Sequence, residues 1–208
     1  MGARKSSRSN KNMSDMSPTM LVYAGNNGSG KSTIRSLIMD RIGIPVNIDP
    51  DAMARRLNPQ HPESARVSAG KEAIRLAREC IRAGREFTVE TTLSGNYAIR
   101  LMQEAKESGF HIAMFYVGLG DPRLNMERVA GRVLNGGHHI PSQDIMNRHH
   151  SSVENLLRHL DWIGRLTVID NSGLQGEIVL EAAAGKLIDQ AERVPSWVVP
   201  IYKRLIPS

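Results

Sequence analysis

Residues 20–33 of this 208-residue chain read MLVYAGNNGSGKST, and this stretch decides the fold. Residues 20–24 are apolar or small, which predicts a short buried strand. The next nine residues fit the pattern G-x-x-x-x-G-K-[S/T] with one residue beyond it, and a helical pattern follows. Glycines let the backbone curl so that its N–H groups point at phosphate oxygens, and the following helix adds its positive end. The stretch therefore predicts a phosphate-binding loop (the P-loop, residues 25–33) between a strand and a helix.

Each residue of the P-loop is a candidate for nucleotide binding. Lys31 is expected to reach the β- and γ-phosphates of ATP, which also makes it a candidate catalytic residue. The Ser32 hydroxyl is expected to coordinate Mg²⁺, so ATP and Mg²⁺ are the predicted cofactors. The candidate cofactor-binding residues are Gly25, Asn26, Asn27, Gly28, Ser29, Gly30, Lys31, Ser32 and Thr33.

Strand and helix patterns alternate along the chain, which indicates a parallel sheet with crossover helices. Strands are predicted at residues 20–24, 45–48, 87–90, 111–117 and 166–169, with a minor sixth at 177–180. Helices are predicted at residues 31–40, 67–84, 96–108, 122–135 and 142–160, with a closing helix in the last thirty residues. The expected fold is α/β: a P-loop NTPase three-layer sandwich with a mostly parallel sheet of five to six strands, helices on both faces and a helical lid.

The net charge of +6 comes in about half from residues 1–18, which hold four basic residues and one acid. Because they have almost no apolar side chains, these residues predict a disordered basic tail. Aromatic residues make up only 4% of the chain, so a nucleic-acid partner is disfavoured. No apolar run approaches the ~20 residues that span a bilayer, so no membrane association is expected. The one cysteine, Cys80, allows no intrachain disulfide, which suits a reducing cytoplasm.

Acidic residues follow two predicted strands, at the sheet edge where ligands bind in open parallel sheets. Asp49 precedes a proline, which predicts a helix N-cap, and Asp51 is expected to point to an acceptor hydroxyl. Glu90 ends the third strand, where it can act on Mg²⁺ through water or hold the acceptor. Thr92 and Ser94 can contact substrate or cap the next helix.

Residues 121–160 predict a basic helical lid. Asn125, Arg128 and Arg132 share one helix face, so two arginines can lie over the phosphates, although solvated arginines would give the same pattern. The glycine- and histidine-containing turn at residues 136–141 is typical of a mobile lid. Arg148 lies on the polar face of the next predicted helix.

Together these segments resemble the zeta toxin family of bacterial P-loop kinases, over about residues 19–172. The resemblance rests on residues 24–33, 48–51, 89–95 and 127–133, followed by Gly136, Gly137, His138 and Arg148. It implies a kinase domain at residues 19–208 with its lid at about 121–160. It also implies that MgATP phosphorylates the sugar 3′-hydroxyl of UDP-N-acetylglucosamine or a related nucleotide sugar, and that a helical antitoxin is a possible partner.

The resemblance also implies roles for single residues. Asp51 would be the general base, Lys31 would grip the donor phosphates, and Arg128 would contact the transferring phosphate. His138 stands where the best-known members have a second phosphate-binding arginine, and Arg132 or Arg148 would replace it. The candidate catalytic residues are Asp51, Lys31, Arg128 and Arg132; the candidate substrate-binding residues are Asp51, Glu72, Glu90, Thr92 and Arg148; the candidate metal ligands are Ser32 and Glu90.

Two other readings compete with this one. The first is a kinase on the same frame that acts on a nucleoside, an antibiotic or a nucleic-acid end. The second is an ATPase switch that transfers no phosphate, since residues 93–95 read LSG, like part of the ABC signature. Asn96 and Tyr97 break that signature, and no acid pair ends an apolar Walker-B strand.

Overall fold

A seven-stranded sheet forms the centre of the fold, in the order β2-β3-β1-β4-β5-β6-β7. The computed structural model describes residues 17–44, 46–137 and 139–206, so most of the predicted tail (residues 1–16) lies outside the described residues. The strands are β1 (Thr19–Ala24), β2 (Asn47–Ile48), β3 (Phe87–Thr91), β4 (His111–Gly118), β5 (Arg165–Asp170), β6 (Glu177–Ala183) and β7 (Lys186–Gln190). The first five are parallel, and β6 and β7 are antiparallel.

Seven α-helices lie in the described part of the chain. They are α1 (Lys31–Ile42), α2 (Pro50–Leu57), α3 (Arg66–Arg82), α4 (Asn96–Glu107), α5 (Pro122–Leu134), α6 (Ser142–Arg158) and α7 (Val199–Leu205). Two short 3₁₀ helices, Pro62–Ala65 and Leu160–Trp162, precede α3 and follow α6. The predicted α/β fold with a mostly parallel sheet and helices is confirmed. None of the described helices is long and apolar enough to cross a bilayer.

Alternate side chains of β1 pack on opposite faces of the sheet. Met20 and Val22 belong to the large core that α3, α4, α6 and α7 complete, whereas Leu21 and Tyr23 pack on the other face near Ile38 of α1. Because successive side chains of a strand point to opposite faces, a continuous apolar strand must be covered on both. This accounts for the helices on both faces.

The last strands extend the sheet beyond the prediction. β6 is longer than the predicted residues 177–180, and β7 is one strand more than the five to six expected. β7 is an edge strand with mostly exposed side chains, so its sequence lacks the apolar run on which the strand predictions depended. The predicted closing helix is the short α7.

Trp197, just before α7, lies against the end of β4. A Cβ on Gly118 would come within 2.7 Å of three carbons of the Trp197 ring, so only glycine fits there. The C-terminal segment thereby supports the end of the sheet at which the P-loop lies.

The predicted site residues follow the carboxyl ends of the parallel strands, so they lie at one end of the sheet. The P-loop follows β1, Asp49 follows β2, Thr92 follows β3 and Asn171 follows β5. Ligands of open α/β sheets bind in the crevice outside these ends. The topology therefore places the candidate site at the carboxyl ends of the parallel strands.

Candidate active site

The P-loop takes the curled conformation that phosphate binding needs. Gly25, Gly28 and Gly30 have φ angles of 138°, 75° and 94°, a region that favours glycine. A Cβ on Gly28 would lie 2.6 Å from the carbonyl oxygen of Asn125 in α5, so glycine there also allows the lid to approach. The Lys31 ammonium is buried and donates to the carbonyl oxygen of Asn26 at 3.0 Å.

Burial lowers the pKa of Lys31 from its usual range. Three carboxylates, Glu90, Asp51 and Asp49, oppose this shift by their negative charge. A cation that has lost much of its hydration and lies beside curled backbone amides is suited to bind phosphate oxygens.

Ser32 and Glu90 meet beside the P-loop. Ser32 Oγ donates to Glu90 Oε1 at 2.7 Å, and Arg35 Nε lies 3.5 Å from Glu90 Oε2. Glu90 Oε2 is buried and accepts no hydrogen bond within the described structure. Mg²⁺ prefers oxygen ligands, and the Ser32 hydroxyl and the Glu90 carboxylate supply them side by side, so both predicted metal ligands fit that ion.

The site is one cleft with two compartments. The larger compartment, about 810 Å³, runs along the P-loop to Val133, Gly136, Gly137 and His139. The smaller compartment, about 360 Å³, lies beyond the ends of β2 and β3. Both are lined by Asn27, Lys31, Asp49, Asp51, Arg55, Pro62, Glu90 and Arg132. Two ligands bound in the cleft would therefore meet at these shared residues.

Of the two aspartates after β2, Asp49 forms the predicted cap and Asp51 lines the cleft. Asp49 is the N-cap of α2, and its Oδ1 accepts from the backbone N–H of Ala52 at 3.0 Å. Asp51 lies in the first turn of α2, is exposed, and lines both compartments. The cap fixes the start of α2 and so directs Asp51 into the cleft.

The hydroxyls after β3 do not cap α4. Its N-cap position is Gly95, which has no side-chain cap. Thr92 Oγ1 and Ser94 Oγ instead lie 2.8 Å apart, and both residues line the smaller compartment beside Tyr97. Of the two open readings, this geometry favours ligand contact.

Two predicted residues lie away from the cleft lining. Arg128 donates from NH2 to the carbonyl oxygen of Asn171 at 2.8 Å. Glu72 accepts from Arg75 Nε at 2.8 Å, and this bond holds the pKa of Glu72 below its usual range. The described residues that line either compartment include neither of them.

The remaining lid residues lie near the P-loop. Arg132 is exposed and lines both compartments. Arg148 lines the smaller one, donates to Asn27 Oδ1 at 2.8 Å and lies 3.5 Å from Asp144. His138 lies outside the described residues.

The sequence did not reveal the roles of two asparagines that contact the P-loop, Asn125 and Asn171. The buried Asn125 donates from Nδ2 to the carbonyl oxygen of Asn27 at 2.7 Å, and Asn171 donates from Nδ2 to the carbonyl oxygen of Ser29 at 2.8 Å. Both asparagines therefore support the P-loop from outside it. Asn171 could have been found, because it directly follows an apolar strand at the ligand-binding edge.

Comparison with known proteins agrees with this geometry. The sequence model of the zeta toxin family matches residues 3–175. An uncharacterized protein of Haemophilus influenzae (strain ATCC 51907 / DSM 11121 / KW20 / Rd) is 42% identical over 126 residues, which cover 61% of this chain and 88% of that protein.

Two solved structures share the fold. The first is from the PezAT chromosomal toxin–antitoxin system of Streptococcus pneumoniae, with a TM-score of 0.61 and 18% identity over 90% of this chain and 85% of that one. The second is AvrRxo1-ORF1:-ORF2 with ATP, with a TM-score of 0.60 and 17% identity over 92% of this chain and 64% of that one. Since the family model covers most of the sequence and the P-loop is intact, this chain belongs to the zeta toxin family of P-loop kinases.

Proposed function

We propose that this protein transfers the γ-phosphate of MgATP to the sugar 3′-hydroxyl of UDP-N-acetylglucosamine or a related nucleotide sugar, within a kinase domain at residues 19–208. The observation that carries the proposal is that Lys31 and Asp51 line both compartments of the cleft. A donor on the P-loop and an acceptor in the smaller compartment would meet at these two side chains. The choice of acceptor rests on the resemblance to the family.

The chain's own residues suit the donor. The P-loop amides and Lys31 would hold the β- and γ-phosphates, and the exposed Arg132 extends into the same space. Ser32 and Glu90 would hold Mg²⁺, which when bound neutralises phosphate charge. ATP also accompanies a structural relative, AvrRxo1-ORF1:-ORF2.

Asp51 is the proposed general base. The acceptor oxygen would form a bond to the γ-phosphorus, the bond from that phosphorus to the bridging oxygen of ADP would break, and the hydroxyl proton would pass to Asp51. The main requirement on Asp51 is its alignment with the acceptor hydroxyl, because a loose phosphoryl-transfer transition state depends more on alignment than on proton abstraction.

The smaller compartment suits an anionic sugar derivative. Four arginines line it: Arg55, Arg66, Arg132 and Arg148. Each guanidinium group can donate two parallel hydrogen bonds to the oxygens of one phosphate, which suits the diphosphate of a nucleotide sugar. The hydroxyls of Thr92 and Ser94 would hydrogen-bond sugar oxygens.

A helical antitoxin is the proposed partner. This rests on the family resemblance and on the fold shared with PezAT, a toxin–antitoxin system. Co-expression with the product of the neighbouring reading frame, followed by size-exclusion chromatography, tests it. Elution at the mass of this chain alone would argue against that partner.

The deciding experiment is ³¹P NMR of the purified protein with MgATP and UDP-N-acetylglucosamine. We expect a new phosphate-ester signal as ATP is consumed, and a rate about 10²–10³-fold lower for Asp51→Asn. Asp161→Asn is the matched control, because Asp161 is exposed and lies outside the lining of the cleft.

Three other outcomes would change the proposal. ADP and free phosphate without a new ester would exclude this acceptor and favour an ATPase. A new ester with a nucleoside or a nucleic-acid end alone would make the protein a different kinase. A wild-type rate for Asp51→Asn would exclude Asp51 as the general base.

A further inference from the structure

One face of α6 carries three polar side chains, which contact the P-loop, β4 and the loop after β3. Arg148, Ser152 and Asn155 are spaced by four and three residues, so they lie on the same side of the helix. Arg148 donates to Asn27 of the P-loop at 2.8 Å, and Ser152 bonds a tyrosine of β4 at 2.9 Å. Asn155 Nδ2 donates to the carbonyl oxygen of Leu93 at 2.9 Å.

Leu93 lies in the middle of residues 91–95, here called the acceptor loop. Its φ angle is +56°, a conformation that residues other than glycine rarely adopt. Such a conformation persists only where the surroundings hold it. Two bonds do so: the N–H of Leu93 donates to Thr91 Oγ1 at 3.0 Å, and its carbonyl accepts from the buried Asn155.

The backbone of Leu93 sets the direction of its two neighbours. Thr92 and Ser94 flank it, share a hydrogen bond of 2.8 Å and line the smaller compartment. If Leu93 relaxed to an ordinary φ, both hydroxyls would turn away from their present positions. Asn155 therefore acts on the compartment through Leu93 rather than by lining it.

The other end of α6 is attached to the P-loop. Asn26 Nδ2 donates to the carbonyl oxygen of Ile145 at 3.0 Å, and Arg148 bonds Asn27. Together with the bond from Asn155 to Leu93, these bonds attach α6 near both of its ends. A single helix thus connects the loop that would bind ATP to the loop that would bind the acceptor.

We propose that Asn155 is a positioning residue that holds the acceptor loop in its strained conformation, and that α6 couples this loop to the P-loop. Binding of MgATP then orders the acceptor loop, and by linkage an acceptor strengthens nucleotide binding to the same degree. The inference rests on the proposed function for the assignment of the smaller compartment to the acceptor.

Hydrogen exchange tests the coupling without any acceptor. The probe is the β,γ-imido analogue of ATP with Mg²⁺, added to the full chain. In the wild type, it should slow exchange in both the P-loop and residues 91–95. In Asn155→Ala, residues 91–95 should exchange about tenfold faster, and nucleotide should protect only the P-loop.

Asn147→Ala is the matched control, because Asn147 is an exposed asparagine on the same helix, and it should behave as the wild type. If Asn155→Ala does not fold, Thr91→Val removes the other bond to Leu93 and should give the same change. Equal protection of residues 91–95 in wild type and variant, or none in the wild type, would overturn the inference.

Steady-state kinetics separate positioning from general damage. With UDP-N-acetylglucosamine, or any acceptor found to support transfer, Asn155→Ala should raise the acceptor KM about tenfold. In the variant a saturating acceptor should no longer lower the KM of ATP, as it should in the wild type. An unchanged acceptor KM would refute the positioning role. If the wild type forms no ester with UDP-N-acetylglucosamine, the proposed acceptor fails, while the exchange experiment still decides this inference.

Discussion

Replacing Lys31 by methionine should abolish activity and at the same time stabilise the folded protein. Lys31 is only 8% exposed, and its ammonium donates to one backbone carbonyl, that of Asn26, at 3.0 Å. Burial lowers the pKa of Lys31 despite three nearby carboxylates, so the cost of desolvation exceeds their attraction. Methionine keeps the length of the side chain and removes the buried charge.

The effective desolvation penalty of a buried ion is several kcal/mol, and the attraction of the three carboxylates offsets part of it, so the expected gain in unfolding free energy at pH 7 is about 1–2 kcal/mol. A domain of this size gains roughly 2–4 °C in Tm per kcal/mol, so the Tm should rise by roughly 2–8 °C. Transfer of phosphate should fall at least ~100-fold, because a cation aimed at the developing charge is lost.

The pH dependence has a definite sign. The pKa of Lys31 is lower in the folded state than its ordinary value of 10.5. Below the folded pKa, Lys31 is protonated in both states, and the wild type bears the full cost of the buried charge. As the pH rises from the folded pKa to 10.5, that cost disappears, so the advantage of Lys31→Met should shrink.

Thermal unfolding followed by circular dichroism at pH 7 and pH 10, together with an ADP-release assay, measures both effects. Lys71→Met is the matched control, because Lys71 is exposed on α3, and its Tm should change by less than ~1 °C. A lower Tm for Lys31→Met than for the wild type, or a transfer rate within tenfold of it, would refute the reasoning.

Three further changes test other parts of the fold and the site. Gly118→Ala should lower the unfolding free energy by about 1–3 kcal/mol in urea denaturation, since the new Cβ would come within 2.7 Å of three Trp197 ring carbons; an unchanged midpoint would contradict this packing. Glu90→Gln should raise the Mg²⁺ concentration for half-maximal activity about tenfold, because the carboxylate beside Ser32 loses its charge; an unchanged Mg²⁺ titration would exclude Glu90 as a ligand. Asn125→Ala should weaken ATP binding about tenfold by calorimetry, because its 2.7 Å bond supports the P-loop; an unchanged Kd would show that the loop holds its shape without the lid.

Local patterns were sufficient to predict most of the sheet and the P-loop. The strand at residues 20–24, the glycines and Lys31 form a unit whose physical requirements all fall within one short stretch of chain. The cap by Asp49 was predictable for the same reason, since its partner is the N–H of Ala52. Where the interacting residues are close in sequence, the residue spacing was enough to predict the local structure.

Long-range partners were not predictable in this way. Arg128 was expected over the phosphates, but it bonds the carbonyl of Asn171, which lies 43 residues away. Glu72 was expected at the substrate, but it pairs with Arg75 one turn later on the exposed side of α3. Helical spacing gives the face of the helix on which a side chain lies. It does not give the element against which that face packs, or whether the side chain pairs with a neighbour on its own helix.

The variable positions of the P-loop carry information specific to this chain. Asn26 bonds α6 through the carbonyl of Ile145, and Asn27 accepts from Asn125 of α5 and Arg148 of α6. A pattern that leaves these positions open predicts phosphate binding but not the attachment of the lid.

The contacts of the lid arginines also indicate which of them reaches the transferring phosphate. The Arg128 side chain bonds the carbonyl of Asn171, and Arg148 bonds Asn27, so each already has a structural partner. Arg132 is exposed and lines both compartments, where the transferring phosphate would pass. We therefore expect Arg132, rather than Arg128, to supply the positive charge at the point of transfer.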